Sequence, residues 1–337
     1  MIYNKLGKTS LQVRVLKPLK FMRAIIEQYN YKDIAKINDS LIEYRNILDY
    51  QNIFASKEWL LSFLETYKSE NNFLIQSING GNYFSLSLFR DELIFTGDPF
   101  NDFNSVFTKD VINLYDFPEI VGYFLKLNYR IKWNNLFEGP LIENLEKIDQ
   151  INDGITCLKI DGLPKAYDYD ALVSNRIRKM YERFSDNLSF HRIFADEIRD
   201  TPAVLYNLLQ MRQEKLLDRK QNEYNTSFEN KFNEFIIKLT RYDSLGENLF
   251  IDYCMDKNTS IIVSSSLNFV KDKKIICYLR AHAQSKNNIS YGLILDYWSN
   301  KKNLEDGIKI IDFTRGNEFY KYRLGAVEYK LKNFVTI

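Results

Sequence analysis

The sequence predicts a mixed α/β protein built from two units of similar size, and three observations carry that reading. The chain has 337 residues, about two domains if one domain is roughly 150 residues. Hydrophobic residues make up 45% and charged residues 27%, the proportions of a chain that buries a core and is not globally disordered. Segments with the two-residue period of strands alternate with segments of helical period, without a short repeat, a low-complexity tract or a Pro/Gly-rich linker.

The elements follow in order. Ser56 is an N-cap for a helix over 56–68, where Trp59, Leu60, Phe63, Leu64 and Tyr67 recur at helical spacing. The runs NNFLIQSI and NYFSLSLFR, joined by Gly80-Gly81, read as a β-hairpin, and DELIFTG continues the sheet after an Arg90-Asp91 turn. A helix spans Asp116 to about Tyr129, with Pro118 near its start, where proline is tolerated. ITCLKID is a strand, Gly162-Leu163-Pro164 follows it, and the boundary between the units falls near residue 165. The second unit opens with a helix from Asp168 to about Ser185. Another runs from the Thr201-Pro202 cap to about Lys220, and a third from Phe228 to about Thr240. Three strands come next, NLFIDYCM, SIIVSSSLNFV and KIICYLRAHAQ. A helix over Leu293 to Glu305, ended by Asp306-Gly307, and the short buried strand IKIIDF complete the pattern.

Composition excludes several function classes. Lys+Arg 46 against Asp+Glu 44 leaves a net charge of +2, so no general polyanion binder and no nucleic-acid partner are expected. Cys157, Cys254 and Cys277 are odd in number and far apart, which excludes a disulfide scaffold and a CxxC-type zinc site. His191 and His282 are equally distant, so no histidine-rich metal centre is expected. No segment approaches the 18 or so apolar residues of a membrane span, and the first residues lack a signal-type apolar core. A cytoplasmic protein without a membrane span is the expectation. The 24 Phe and 23 Tyr read as core material, with a stacking platform for bases or sugars as the alternative.

The stretch from Ile310 to Gly325, IIDFTRGNEFYKYRLG, resembles the D-F-x-x-G-x-x-x-Y-K-x-x-x-G ending of the CelD-like acetyltransferases, tandem-domain members of the GNAT superfamily. FASKEWL at Phe54 to Leu60 is similar to that family's early F-x-S-x-x-W-L helix, and FTGDPFNDF at Phe95 to Phe103 resembles its F-x-G-x-x-x-x-D-Y turn. The resemblance spans roughly residues 50 to 330 and implies two GNAT-like mixed-sheet domains in tandem. Residues 1–165 would form an N-terminal, degenerate, substrate-side domain, and 166–337 a C-terminal acyltransferase domain, the two facing each other across a cleft. The implied activity is transfer of an acyl group from acyl-CoA, acetyl-CoA first, to an amine of a small molecule, amino sugar or cell-surface precursor, with no metal. The family's relation to the Fem peptidyltransferases keeps an aminoacyl-tRNA-dependent alternative, and a non-catalytic binding module is the third. One departure bears on the carrier. Where GNAT proteins cradle a pyrophosphate with a multi-glycine turn before a helix, this chain has SKNNISYG, with Gly292 alone. Ser290, Tyr291 and Gly292 become the carrier contacts, and an acyl carrier protein is a second candidate donor.

Thioester aminolysis needs a neutral amine, a donor to the carbonyl oxygen and a proton for the leaving thiolate. The resemblance puts Tyr320 on the helix after a strand that splays from its neighbour, where it would protonate the thiolate or pack as a core tyrosine. Asp312, at the end of a buried-looking strand, is a candidate to hold or deprotonate the amine, or a structural partner of Arg315 or Lys321. His282 is the spare base, with His191 behind it. Arg315 and Lys321 are substrate-binding candidates for a phosphate or carboxylate. Asp98 and Asp102 join them from the first-half turn, where Asx-turn duty is the alternative. Arg176, Lys179 and Arg183 share one helix face, either solvated or docking a phosphorylated carrier.

Overall fold

The computed structural model describes residues 24–33, 53–68, 71–77, 82–89, 91–98, 100–102, 104, 107–108, 117–137, 140–161, 169–219, 226–284 and 289–336. The Gly80-Gly81 turn and the Gly162-Leu163-Pro164 segment predicted above lie outside them. The first half contains strands β1 (Ala24–Tyr29), β2 (Asn72–Ser77), β3 (Asn82–Phe89), β4 (Glu92–Phe95), β5 (Phe107–Thr108), β6 (Arg130–Leu136) and β7 (Ile151–Asp161). Its helices are α1 (Lys57–Tyr67), α2 (Phe117–Lys126) and α3 (Pro140–Leu145). The second half supplies α4 (Tyr169–Leu172), α5 (Asn175–Phe184), β8 (Leu188–Phe194), α6 (Ala195–Asp200), α7 (Pro202–Arg219) and α8 (Thr226–Leu239). After these come β9 (Leu249–Asp256), β10 (Ile262–Lys271), β11 (Lys274–His282), α9 (Tyr291–Glu305), β12 (Ile310–Arg315), α10 (Phe319–Arg323) and β13 (Val327–Val335).

Local chemistry explains most boundaries. Ser56 Oγ accepts from the Trp59 N–H at 3.2 Å and caps α1 as the sequence implies. The single helix expected over 168–185 is two, because the Ser174 N–H pairs with the Arg323 carbonyl at 2.9 Å and breaks the run between α4 and α5.

The mixed α/β class is confirmed, and each half repeats one plan. Three antiparallel strands, β2-β3-β4 or β9-β10-β11, lead through a helix, α2 or α9, to a strand parallel to the third: β6 beside β4, β12 beside β11. The two plans do not face each other across a cleft. They are joined edge to edge in one 13-stranded sheet of order β1-β2-β3-β4-β6-β13-β7-β12-β11-β10-β9-β8, with β5 on β3. The late strand β13 makes the join, since it pairs antiparallel with β6 on one side and with β7 on the other. Aromatic packing reinforces it. α1 of the first half lies on the second, where the fully buried Trp59 ring meets Phe235 at 4.7 Å and Tyr278 at 5.2 Å. α1, α7 and α8 cover one face of the second-half sheet, and α4, α5 and α9 the other. Among the described residues no helix is long and apolar enough to cross a membrane.

Because Trp59 ties the halves, Trp59→Ala should cost about 3–5 kcal/mol. Urea unfolding should then still show one transition, coincident by fluorescence and far-UV circular dichroism, at a lower midpoint. Two separated transitions would show that the halves unfold independently.

Candidate active site

The parallel pair β11·β12 stays in register only over Lys274–Ile276 and Ile310–Asp312. β11 then continues to His282 without β12 beside it, and a cavity of about 630 Å³ opens between them. Two irregularities accompany the separation. On β11, Tyr278 has no partner on β10, because Leu267 pairs with Leu279 and Asn268 with Cys277. On β12, Phe313 and Thr314 together face one residue of β7. Thr314 adopts a φ of 54°, a left-handed conformation costly for a β-branched residue.

Two buried side chains hold that kink. Asp312 Oδ1 accepts from the Thr314 N–H at 2.9 Å, both its oxygens accept from Tyr329 Oη at 2.9 Å, and Lys274 Nζ stands 3.1 Å from Oδ2. Lys321 Nζ donates to the carbonyls of Phe313 (3.0 Å), Arg315 (2.6 Å) and Gly316 (3.0 Å) and is ion-paired to Glu318. An ammonium has three donors, so Lys321 is spent on this turn. Gly316 completes it at φ +96°, where a Cβ would also collide with the Glu318 carboxylate.

The kink turns Arg315 into the cavity, where it is ion-paired to Asp102 of the first half. Burial pushes the Asp102 carboxyl up, and the Arg315 guanidinium opposes that. Arg280 is ion-paired to Asp296 and lies 4.0 Å above the Tyr320 ring. Burial raises the Tyr320 hydroxyl further above neutrality, with Arg280 again opposing. Tyr320 therefore faces the cavity as a neutral O–H donor. Cations outnumber carboxylates on the wall, with Arg212 and Lys215 added to Arg280, Arg315 and Lys321.

The remaining expected residues divide. Ser290, at the N-cap of α9, lines the cavity and makes no side-chain cap bond. Tyr291 packs among Leu188, Cys254 and Ile294 instead. Gly292 is buried, and a Cβ there would stand 2.9 Å from His282 Cδ2, so the glycine lets the imidazole lie against the helix start. Residues 285–288 of the expected carrier turn lie outside the described residues. His282 Nε2 is 3.0 Å from Lys215 Nζ and Nδ1 is 3.3 Å from the Ala283 carbonyl. An ammonium only donates, so with Lys215 charged the pair requires neutral His282 with its proton on Nδ1. The pair also borders a second cavity of about 630 Å³, under Asn207, Met211 and Gln284. Asp98 is taken up by the amides of Asn104 and Asn134. Asp312 is not on the cavity wall. His191 is exposed on β8, stacked on Tyr253.

Arg280, Arg212, Lys215, Ser266, Asn268, Asp296 and Asn300 also line the cavity and were not anticipated. A signal existed for some: Ser264, Ser266 and Asn268 alternate along β10, and Asp296, Ser299, Asn300 and Asn303 recur at helical spacing on α9. Among the described residues no cluster of His, Cys, Asp and Glu could hold a metal ion.

No family model matches the chain, and no curated protein matches its sequence. Solved structures share the fold. The chain is similar to FemX at TM-score 0.60 and 8% identity, covering 89% of this chain and 96% of that one. The C-terminal domain of a candidate lysylphosphatidylglycerol synthetase from Agrobacterium fabrum gives 0.58 at 11%, covering 88% and 92%. A conserved protein of unknown function from Bacteroides thetaiotaomicron gives 0.56 at 13%, covering 91% and 97%. At these identities the likeness is one of fold.

Replacing Lys321 by Met would leave three carbonyls, that of Phe313 buried, without their donor, a loss of about 3–5 kcal/mol by analogy with broken buried ion pairs. Urea denaturation of the variant measures it. A change below about 1 kcal/mol would mean that Lys321 does not hold the turn.

Proposed function

We propose that the chain is a GNAT-type N-acyltransferase of the CelD-like kind. It would move an acyl group from acyl-CoA, acetyl-CoA first, to an amine of a small molecule, an amino sugar or a carrier-linked cell-surface precursor. The observation that carries this is the opening between β11 and β12, with Tyr320 on its wall and the start of α9 at its rim. An extended pantetheine arm has the unpaired edge of β11 to follow, past the Tyr278 irregularity where backbone groups are released from the ladder. The helix start, with Ser290 uncapped, offers N–H groups to a pyrophosphate. Tyr320 gives its proton to the departing thiolate, and Arg280 holds its ring from above. His282 is the base within the same wall, provided that the amine displaces Lys215 from Nε2. Arg315 is the cation for an anionic group of the acceptor, and Asp102 sets its position.

The halves then differ in duty. Residues 166–337 hold the donor machinery and 1–165 the substrate side. In the first half the corresponding β4·β6 opening is filled by Asn104, whose N–H donates to the Asn135 carbonyl at 2.9 Å and whose amide donates to the Asn134 carbonyl at 2.8 Å. That supports a degenerate first domain. Asp98 serves this plug. A cytoplasmic setting suits a CoA donor.

A second reading, a Fem-like transferase taking its group from aminoacyl-tRNA, draws support from the fold shared with FemX. A thermal-shift comparison of acetyl-CoA, longer acyl-CoAs and CoA separates the two: stabilisation by thioesters supports the first, and none by any of them favours the second or a binding module.

Tyr320→Phe should lower turnover by about 10-fold to 1000-fold with little change in Tm. Burial penalises the phenolate, so the phenol stays protonated through the neutral and mildly alkaline range. No alkaline decline in rate below about pH 10 should therefore vanish in the Phe variant. Full turnover in Tyr320→Phe, where chemistry limits the rate, would make the tyrosine a packing residue. Gly292→Ala should displace the His282 ring and weaken thioester binding; unchanged affinity in a folded variant would reject that rim as the carrier's approach.

A further inference from the structure

The wall of the cavity changes character where it runs beneath α9. Ser266 and Asn268 of β10 stand on the sheet side, with Asp296, Ser299 and Asn300 opposite on the helix. All five are more than nine-tenths buried. Buried polar atoms are stable when their hydrogen bonds are made. Ser299 meets this, donating to Asp252 and accepting from Asn303 at 3.3 Å. Asp296 has Arg280. Asn268 differs. Its Nδ2 donates to the Ser266 carbonyl at 3.2 Å and to Ser266 Oγ at 3.1 Å. A carbonyl only accepts, so the orientation of the amide is fixed. Asn268 Oδ1 is left accepting from none of the described residues. Asn300 Nδ2 donates to Tyr169 Oη at 2.8 Å, but a hydroxyl also donates, so this contact does not fix the orientation of the Asn300 amide.

We propose that this recess beneath α9 is a subsite for an uncharged hydrogen-bond donor, and that the transferred acyl group carries a hydroxyl into it. The assignment rests on the thioester-donor reading above. Tyr320 and the recess share Arg280, which covers the tyrosine ring and pairs with Asp296. A thioester whose sulfur lay against Tyr320 would have its acyl group in the same cavity as the recess, with Arg280 between the two. The Asn268 amide oxygen, with no donor among the described residues, selects a group that donates, which a carboxylate or phosphate does not. An ammonium would add positive charge beside Arg280, whose charge already balances Asp296. A hydroxyl adds none.

A matched set of probes tests this: butyryl-CoA and 3-hydroxybutyryl-CoA, which differ by one hydroxyl, and 3-aminobutyryl-CoA as the charged analogue. Calorimetric titration of the full chain should give about 10-fold to 100-fold tighter binding of the hydroxyacyl compound than of butyryl-CoA. In Asn268→Leu that preference should disappear, while binding of butyryl-CoA persists and reports a folded variant. Should Asn268→Leu lack a melting transition, the comparison in the unmodified protein decides alone. Equal affinities there for the matched pair overturn the subsite, even with both compounds bound. Tightest binding of the amino compound overturns the uncharged assignment. Binding of none of the three overturns the thioester reading, and this inference with it.

Discussion

A single buried carboxylate organises the candidate site without touching its cavity. Asp312 accepts from the Thr314 N–H and so stabilises a backbone conformation that threonine otherwise avoids. That conformation bulges β12 against β7 between Asp312 and Arg315, turns Arg315 inward and brings it to Asp102 of the other half. Tyr329 and Lys274 keep Asp312 in place from β13 and β11. The strain is therefore distributed over strands that are themselves central to the sheet. A carboxylate in this position offsets its desolvation through three partners, Thr314, Tyr329 and Lys274, and the result is an opening of fixed shape.

The class, the α1 cap and most helices were legible because their signals are local: an N-cap serine, a Thr-Pro start, apolar residues at helical spacing. β6 and β13 were not. In RIKWNNL and VEYKLKNFV the buried residues are separated by lysine and asparagine, and both strands gain their sheet positions from partners far away in sequence. The site divides in the same way. Tyr320, Arg315 and Asp102 could be named from motif residues, and the cavity wall contains all three. The function of Lys321 could not, because its partners are backbone carbonyls, which no side-chain pattern encodes.

α9 shows a subtler limit. A polar stripe on a helix ordinarily faces water. Here the stripe of Asp296, Ser299, Asn300 and Asn303 is the buried one, seated on Asp252, Arg192 and Arg280 of the sheet. Arg192 holds Asp252 through two hydrogen bonds of 2.7 and 2.9 Å and reaches Asn303 at 2.6 Å. Hydrogen bonding positions this helix more tightly than apolar contact would, since each bond has one direction. The cost falls on any residue of the layer left without a partner.

The placing of β13 between β6 and β7 has a consequence for biosynthesis. Both neighbours leave the ribosome long before the strand that joins them, and until it arrives each presents an open edge of unpaired N–H and carbonyl groups. The contact between Thr336 Oγ1 and the Ile131 N–H closes a loop of more than half the chain. Such long-range closure is slow relative to local folding. A nascent chain of this protein therefore spends its synthesis as two incomplete sheets with sticky borders, a state in which holding chaperones matter more than they do for proteins whose domains close one at a time.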